Sequence, residues 1–193
     1  MYAPSPALTL SGLLPTTKVR TVALVVAAAA LTALAAQISV PIPGTPVPVT
    51  LQTFTVVLVG AGLGWKSGLA SQLLYVMVGA MGAPIYAGGE GGWTATTSHT
   101  AGYLVGFVVA ATVAGALAER GQDRRILTAI PAMAIASVII WAFGATWLAY
   151  SLSISPAAAI SAGVTPFILG DAIKMLAAGL VLPAAWRLVE SRR

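Results

Sequence analysis

Apolar residues run along this chain in long blocks rather than in alternation. Four blocks, at residues 20–37, 99–118, 127–149 and 163–186, are almost free of charge, and two shorter ones fill 51–64 and 67–82. A helix crossing a bilayer needs about 20 mainly apolar residues, so the long blocks read as spanning helices. The short ones flank Gly64-Trp65-Lys66-Ser67-Gly68 and read as a helical hairpin. At ~1.5 Å per residue the 51–64 helix reaches only ~21 Å and stops short of one membrane face. That is tolerable where an adjoining loop is covered by protein or lines a cavity. The expected fold class is all-α, a polytopic membrane protein with six transmembrane helices.

Composition supports the bilayer and fixes an expected orientation. Of the 193 residues 58% are hydrophobic and 8% charged, against about 25% charged in a soluble domain. Nine of the ten Lys and Arg residues fall in the N-terminal segment (Lys18, Arg20), the 64–68 turn (Lys66), the 119–126 loop (Arg120, Arg124, Arg125) and the tail (Arg187, Arg192, Arg193). The alternate loops, 38–50, 83–98 and 150–161, contain none. Positive charge stays in the cytoplasm, which gives an N-in, C-in topology. Residues 1–19 then form a cytoplasmic segment, 20–188 the membrane domain and 189–193 a basic cytoplasmic tail. The net charge of +5 is thereby an orientation signal, and nucleic acid drops out as a partner. Ala33-Leu34-Ala35 fits a signal-cleavage pattern, but alanine is too abundant here for the match to be specific.

Several chemistries are excluded. With no cysteine and one histidine, His99, the chain has no thiolate or His-pair metal site and no Cys nucleophile. His99 itself reads as an interfacial residue at the outer end of helix 4. Gly60 to Ser67 lacks the glycine that must precede Lys-Ser in a phosphate-binding loop, because Trp65 stands there. The chain therefore does not hydrolyse ATP by itself, and no cofactor is implied.

One pair stands out. Asp171 and Lys174 are the only charged residues within the apolar blocks away from their ends, and at i, i+3 they share a helix face. A charge at membrane depth costs at least about 2.5–3.5 kcal/mol, so it faces a partner or a cavity. With the last helix starting near 163, Asp171 sits eight residues, or ~12 Å, below its outer end. Above it are two unusual outward loops. Residues 38–50 hold Pro41, Pro43, Pro46 and Pro48 around Gly44, a stiff segment with few N–H donors. Residues 84–93 hold Gly88-Gly89-Glu90-Gly91-Gly92 between Tyr86 and Trp93, where Gly89 and its neighbours permit close backbone approach to a ligand. The combination suggests a solute pocket under a lid. An intramembrane hydrolase using Asp171 and Lys174 as acid and base is the rival, disfavoured by the lack of further polar groups at that depth. In the first helix Ala23/Ala27 and Ala29/Ala33 have small-xxx-small spacing, suited to internal packing or to a partner helix.

Pro46-Val47-Pro48-Val49-Thr50-Leu51-Gln52-Thr53, the Gly-Gly-x-Gly-Gly loop, Gly102-Tyr103-Leu104-x-Gly106-Phe107 and Gly170-Asp171-x-x-Lys174 together resemble the BioY family, in order and spacing across residues 20–188. Its members are the biotin-capturing S components of energy-coupling-factor (ECF) vitamin transporters. The resemblance implies an ECF S-component fold of six helices in a prokaryotic plasma membrane, with biotin bound beneath the two lid loops. It implies as partners a transmembrane coupling subunit, docked through helix 1 at Ala23 and Ala27, and two ATPase subunits. Asp171 and Lys174 match the family's polar pair, Gln52 the glutamine opening helix 2, Tyr103 the aromatic at the start of helix 4, and Glu90 a position often held by an amide. Biotin's ureido N–H groups would donate to Asp171 and Glu90, its ureido carbonyl would accept from Lys174, and Trp93, Tyr86 and Tyr103 would wall the site. A reversed pose puts Lys174 on the carboxylate, and another small vitamin on the same fold is the alternative ligand. There are two departures. Ser98-His99-Thr100-Ala101 stands where the family often has Gly-Pro-Thr-Gly, and Leu104 stands where some members carry a basic residue that can meet a carboxylate.

Overall fold

A computed structural model describes residues 9–13 and 17–190; Arg192, Arg193 and most of the 1–19 segment lie outside the described residues. Helix α1 (Lys18–Gln37) starts at Thr17, whose hydroxyl accepts the Arg20 amide N–H at 3.2 Å, a side-chain cap on an otherwise unpaired donor. The proline-rich segment that follows is a two-residue antiparallel ribbon, β1 (Ser39–Val40) against β2 (Val49–Thr50). Helices α2 (Gln52–Leu63) and α3 (Trp65–Ala80) come next, followed by the short α4 (Gly92–Thr96). The remainder is α5 (Ala101–Glu119), α6 (Ile126–Leu152), α7 (Pro156–Gly163) and α8 (Ile168–Glu190).

The all-α expectation holds, with the small ribbon added. Among the described residues four helical paths are long and apolar enough to cross a membrane: α1, α5, α6 and the path from Pro156 to Leu188. Helix α2 has 12 residues and is shorter still than its sequence block. The segment leading into it, Pro46 to Thr50, lines a cavity, which is where irregular backbone is tolerable at membrane depth.

Three boundaries differ from the sequence reading. The turn expected over residues 64–68 is the single residue Gly64, at φ 85°, a conformation glycine adopts without strain. Trp65 already belongs to α3, and its N–H is taken by the Glu119 carboxylate at 3.2 Å. The expected loop over 150–161 is mostly helix: α6 continues to Leu152, and Ser155 caps α7 by accepting the Ala158 N–H at 3.2 Å. The last helix begins at Ile168 rather than 163, so Asp171 lies in its first turn and not eight residues down. Pro166 explains the break, since it has no N–H for the helical ladder and its ring would strike the carbonyl four residues back. Two carbonyls freed by the break find other donors. Ala162 accepts from the Thr45 hydroxyl at 2.7 Å and Gly163 from the Tyr103 hydroxyl at 2.7 Å, so the break is tied to the proline segment and to α5.

Helix α5 is the centre of the bundle. Ala110, Ala111 and Ala114 are completely buried, and Gly60 of α2 and Gly68 of α3 rest on the Ala111 backbone. Small residues let these helices approach closely. At the Gly64 end, Asp123 in the α5–α6 loop is fully buried and accepts the Trp186 indole N–H of α8 at 2.7 Å. Burial pushes the Asp123 carboxyl above its usual range, and the Trp186 hydrogen bond partly offsets this.

The packing generates a paired prediction within one helix. A methyl at Gly60 would collide with the Ala111 carbonyl, whereas one at Gly62 meets nothing within 4 Å. In detergent-purified protein, Gly60→Ala should lower stability by about 1–3 kcal/mol through overpacking. Gly62→Ala should leave Tm unchanged or raise it, since alanine is favoured over glycine in a helix by up to ~1 kcal/mol. Equal effects of the two substitutions in a thermal melt would contradict the close α2–α5 approach.

Candidate functional site

A cavity of ≈ 590 Å³ opens at the end of the bundle away from Gly64, within the size range of small-ligand sites. One wall is the proline segment, Pro46 to Pro48. The glycine loop at Ala87, Glu90 and Gly91 and the turn Ser98-His99-Thr100 complete the rim, the turn meeting the proline segment at His99. Tyr75, Tyr86, Tyr103 and Phe107 give aromatic sides, and Asp171, Lys174 and Trp141 form the polar floor.

The floor is a closed set of hydrogen bonds. Asp171, only 2% exposed, accepts from Lys174 Nζ at 2.7 Å and Thr53 Oγ1 at 2.9 Å on Oδ1, and from Trp141 Nε1 at 2.8 Å on Oδ2. Lys174 Nζ also donates to the Thr50 carbonyl at 2.6 Å and to Thr53 Oγ1 at 3.2 Å. An ammonium has three donors and a carboxylate about four acceptor sites. The three donors of Lys174 are therefore all engaged, and Asp171 keeps one acceptor site, on Oδ2. The chain break before Ile168 matters here: it puts Asp171 in the first turn of α8, where the helix dipole favours negative charge.

The walls are held by a second set of bonds. Gln52, which opens α2, donates to the Tyr75 hydroxyl at 2.8 Å and accepts from Thr50 Oγ1 at 3.1 Å. Tyr75 donates onward to the Ile85 carbonyl at 3.3 Å, and Tyr86 to the Val76 carbonyl at 2.7 Å. The rings of Tyr75 and Tyr86 meet edge to face at 5.5 Å. The phenol groups of Tyr75, Tyr86 and Tyr103 thus fasten backbone, and these side chains bring ring surface to the cavity. His99, expected at the membrane interface, also lines the cavity, with Nε2 3.1 Å from the Pro46 carbonyl oxygen.

The family-level sequence model described as "BioY family" matches residues 8–191. The chain belongs to the BioY family. It is 39% identical over 85% of its length to the "Probable biotin transporter BioY" of Pyrococcus horikoshii, covering 94% of that protein. To the "Biotin transporter BioY" of Thermotoga maritima it is 38% identical, over 79% of this chain and 87% of the other. Among solved structures it is similar to the "S-component for biotin from an ECF-type ABC transporter", with a TM-score of 0.81 and 20% identity, over 90% of this chain and 95% of that one. At that identity the likeness establishes the fold, that of an ECF S component.

In this BioY chain Asp171, Lys174, Glu90, Tyr103, Gln52 and Tyr86 all reach the cavity. Gly89 and Trp93 do not. Trp93 is 72% exposed, because the five-residue α4 turns Thr94 and Ala95 toward the cavity instead. Sequence reasoning missed Trp141, Thr53 and Tyr75. A signal existed for Trp141, since an indole N–H in the middle of an apolar block needs an acceptor, and Asp171 is the strongest one at that depth. On α1 the two alanine pairs divide: Ala29 and Ala33 turn toward the bundle, whereas Ala23 and Ala27 are exposed.

Mutual compensation within the floor is testable by stability alone. Lys174→Met leaves a buried carboxylate without its counter-ion and should cost about 3–5 kcal/mol, read as a fall in Tm. Adding Asp171→Asn should recover most of that loss. A double variant no more stable than the single one would show that the pair is not what keeps the buried carboxylate tolerable.

Proposed function

We propose that this chain captures biotin as the substrate-binding S component of an ECF-type transporter in a prokaryotic plasma membrane. It works with a transmembrane coupling subunit and two ATPase subunits. The observation that carries this reading is the cavity floor, where a neutralised Asp171–Lys174 pair keeps one free carboxylate acceptor beneath aromatic walls. Biotin's head is uncharged, with two ureido N–H donors, one carbonyl and an apolar bicycle, and it matches such a floor. The names carried by the relatives in Pyrococcus and Thermotoga support biotin as ligand and transport, rather than catalysis, as the task.

In this reading one ureido N–H donates to Asp171 Oδ2. The ureido carbonyl accepts from Lys174 Nζ in place of Thr53 Oγ1, its longest bond at 3.2 Å. Glu90, exposed at the rim, receives the second N–H. The reversed pose, with Lys174 on the ligand carboxylate, is disfavoured because that ammonium is already neutralised by Asp171 at 2.7 Å.

Six spans, α1, α2, α3, α5, α6 and α8, with both termini inside, complete the proposal. Interactions at the Gly64 end support a common cytoplasmic side for the basic residues. The Arg20 guanidinium donates to the Ser11 carbonyl at 2.8 Å, and the Ser11 hydroxyl to that of Leu63 at 3.3 Å. The Asp123–Trp186 bond brings the Arg120–Arg125 loop to the end of α8. The exposed Ala23/Ala27 face of α1 is left for the coupling subunit.

Equilibrium binding of labelled biotin to the purified chain tests the function. The native protein should bind with submicromolar Kd, and Asp171→Asn should bind at least about tenfold more weakly, the scale of one charge-assisted hydrogen bond. A folded native sample that takes up no biotin would overturn the reading.

A further inference from the structure

The cavity is chemically one-sided, and this leaves the charged end of its ligand unaccounted for. Resting on the biotin reading above, the ureido head lies on the Asp171 floor, and the valeryl chain carries its carboxylate toward the rim. An anion needs a donor there, preferably a cationic one. Among the described residues that line the cavity, only Lys174 and His99 can carry positive charge. Lys174 has all three donors engaged and an anion 2.7 Å away. Leu104, at the position after Tyr103, offers no polar atom.

We propose that His99 is the carboxylate subsite of this chain, and that it couples capture of the free acid to uptake of one proton. His99 lies in the turn between α4 and α5, half-buried, with Nε2 3.1 Å from the Pro46 carbonyl oxygen. A carbonyl can only accept, so Nε2 carries the hydrogen. In the neutral ring Nδ1 is then a bare acceptor with nothing to offer a carboxylate. Protonation turns Nδ1 into a donor while Nε2–H keeps its hold on Pro46. The neighbouring Ser98 and Thr100 hydroxyls, 2.9 Å apart, bond to each other and are not cationic. The ionisable groups sharing the cavity with His99 are Glu90, Asp171, Lys174 and the phenols of Tyr75, Tyr86 and Tyr103. A carboxamide tail differs, since its N–H can donate to the neutral ring with no proton taken up.

The experiment compares biotin with biotin amide on the native chain and on His99→Gln, which keeps an N–H for Pro46 but does not titrate. The pH range, ~5.5 to ~8, spans the ordinary imidazole transition and lies above the ordinary carboxylate range. Native affinity for biotin should weaken about tenfold or more from the acid to the alkaline end, as one coupled proton requires. Binding of the amide should stay constant within about twofold, and His99→Gln should flatten the biotin profile. A flat biotin profile in the native chain, an equal slope for the amide, or an unchanged slope in His99→Gln would overturn the proposal. The acid–amide comparison on native protein stands even if the variant fails to fold. Absence of biotin binding at every pH would instead overturn the function reading, and this inference with it.

Discussion

A carboxylate buried among apolar helices has to be neutralised, and the rest of this structure is arranged around doing so. Asp171 is met by Lys174 one helical turn away, by Thr53 from α2 and by Trp141 from α6. One charge therefore ties together three helices of the bundle. Lys174 extends the tie to the Thr50 carbonyl, at the end of the ribbon that covers the cavity. Removing a single partner from such a set leaves a desolvated charge, so floor and lid are energetically one unit. What survives this mutual satisfaction is a single acceptor site on Asp171, which suits a neutral hydrogen-bonding head far better than an ion.

The break between α7 and α8 serves the same end. An uninterrupted last helix would place Asp171 mid-helix, away from the favourable end of the dipole. Pro166 ends the helix early, and the freed carbonyls of Ala162 and Gly163 anchor Thr45 and Tyr103. The two side chains that accept this role belong to the proline segment and to α5, both of which line the cavity. The irregular stretch thus fixes the pocket's shape while leaving few backbone groups unpaired.

Much of this was legible in the sequence because charge and proline are so constrained in a bilayer. Asp171 and Lys174 could be singled out by their expense alone, and the two loops by their proline and glycine. The all-helical class followed from the apolar blocks. Boundaries were less legible. The Gly64 turn looked five residues long because glycine at both ends suggested a loop, yet one left-handed glycine suffices when Glu119 caps the next helix. The α7–α8 break was hidden because mean hydropathy stays high across residues 156–188, and hydropathy does not register a missing N–H. Trp93 looked like a wall by proximity to the glycine loop, but a five-residue helix rotated it outward. Trp141 and Thr53 were overlooked because single polar atoms in apolar blocks carry little pattern, although each needs a partner there.

The central claim is that the Asp171 floor reads the ureido head of biotin. It is tested most directly from the ligand's side, by competition between labelled biotin and an analogue methylated on both ureido nitrogens. Losing the donor to a buried carboxylate should weaken binding by at least about tenfold, and the added methyl groups should clash with the floor as well. The account predicts that the analogue needs at least about a tenfold higher concentration than unlabelled biotin for the same displacement. Displacement at the same concentration as unlabelled biotin would contradict it.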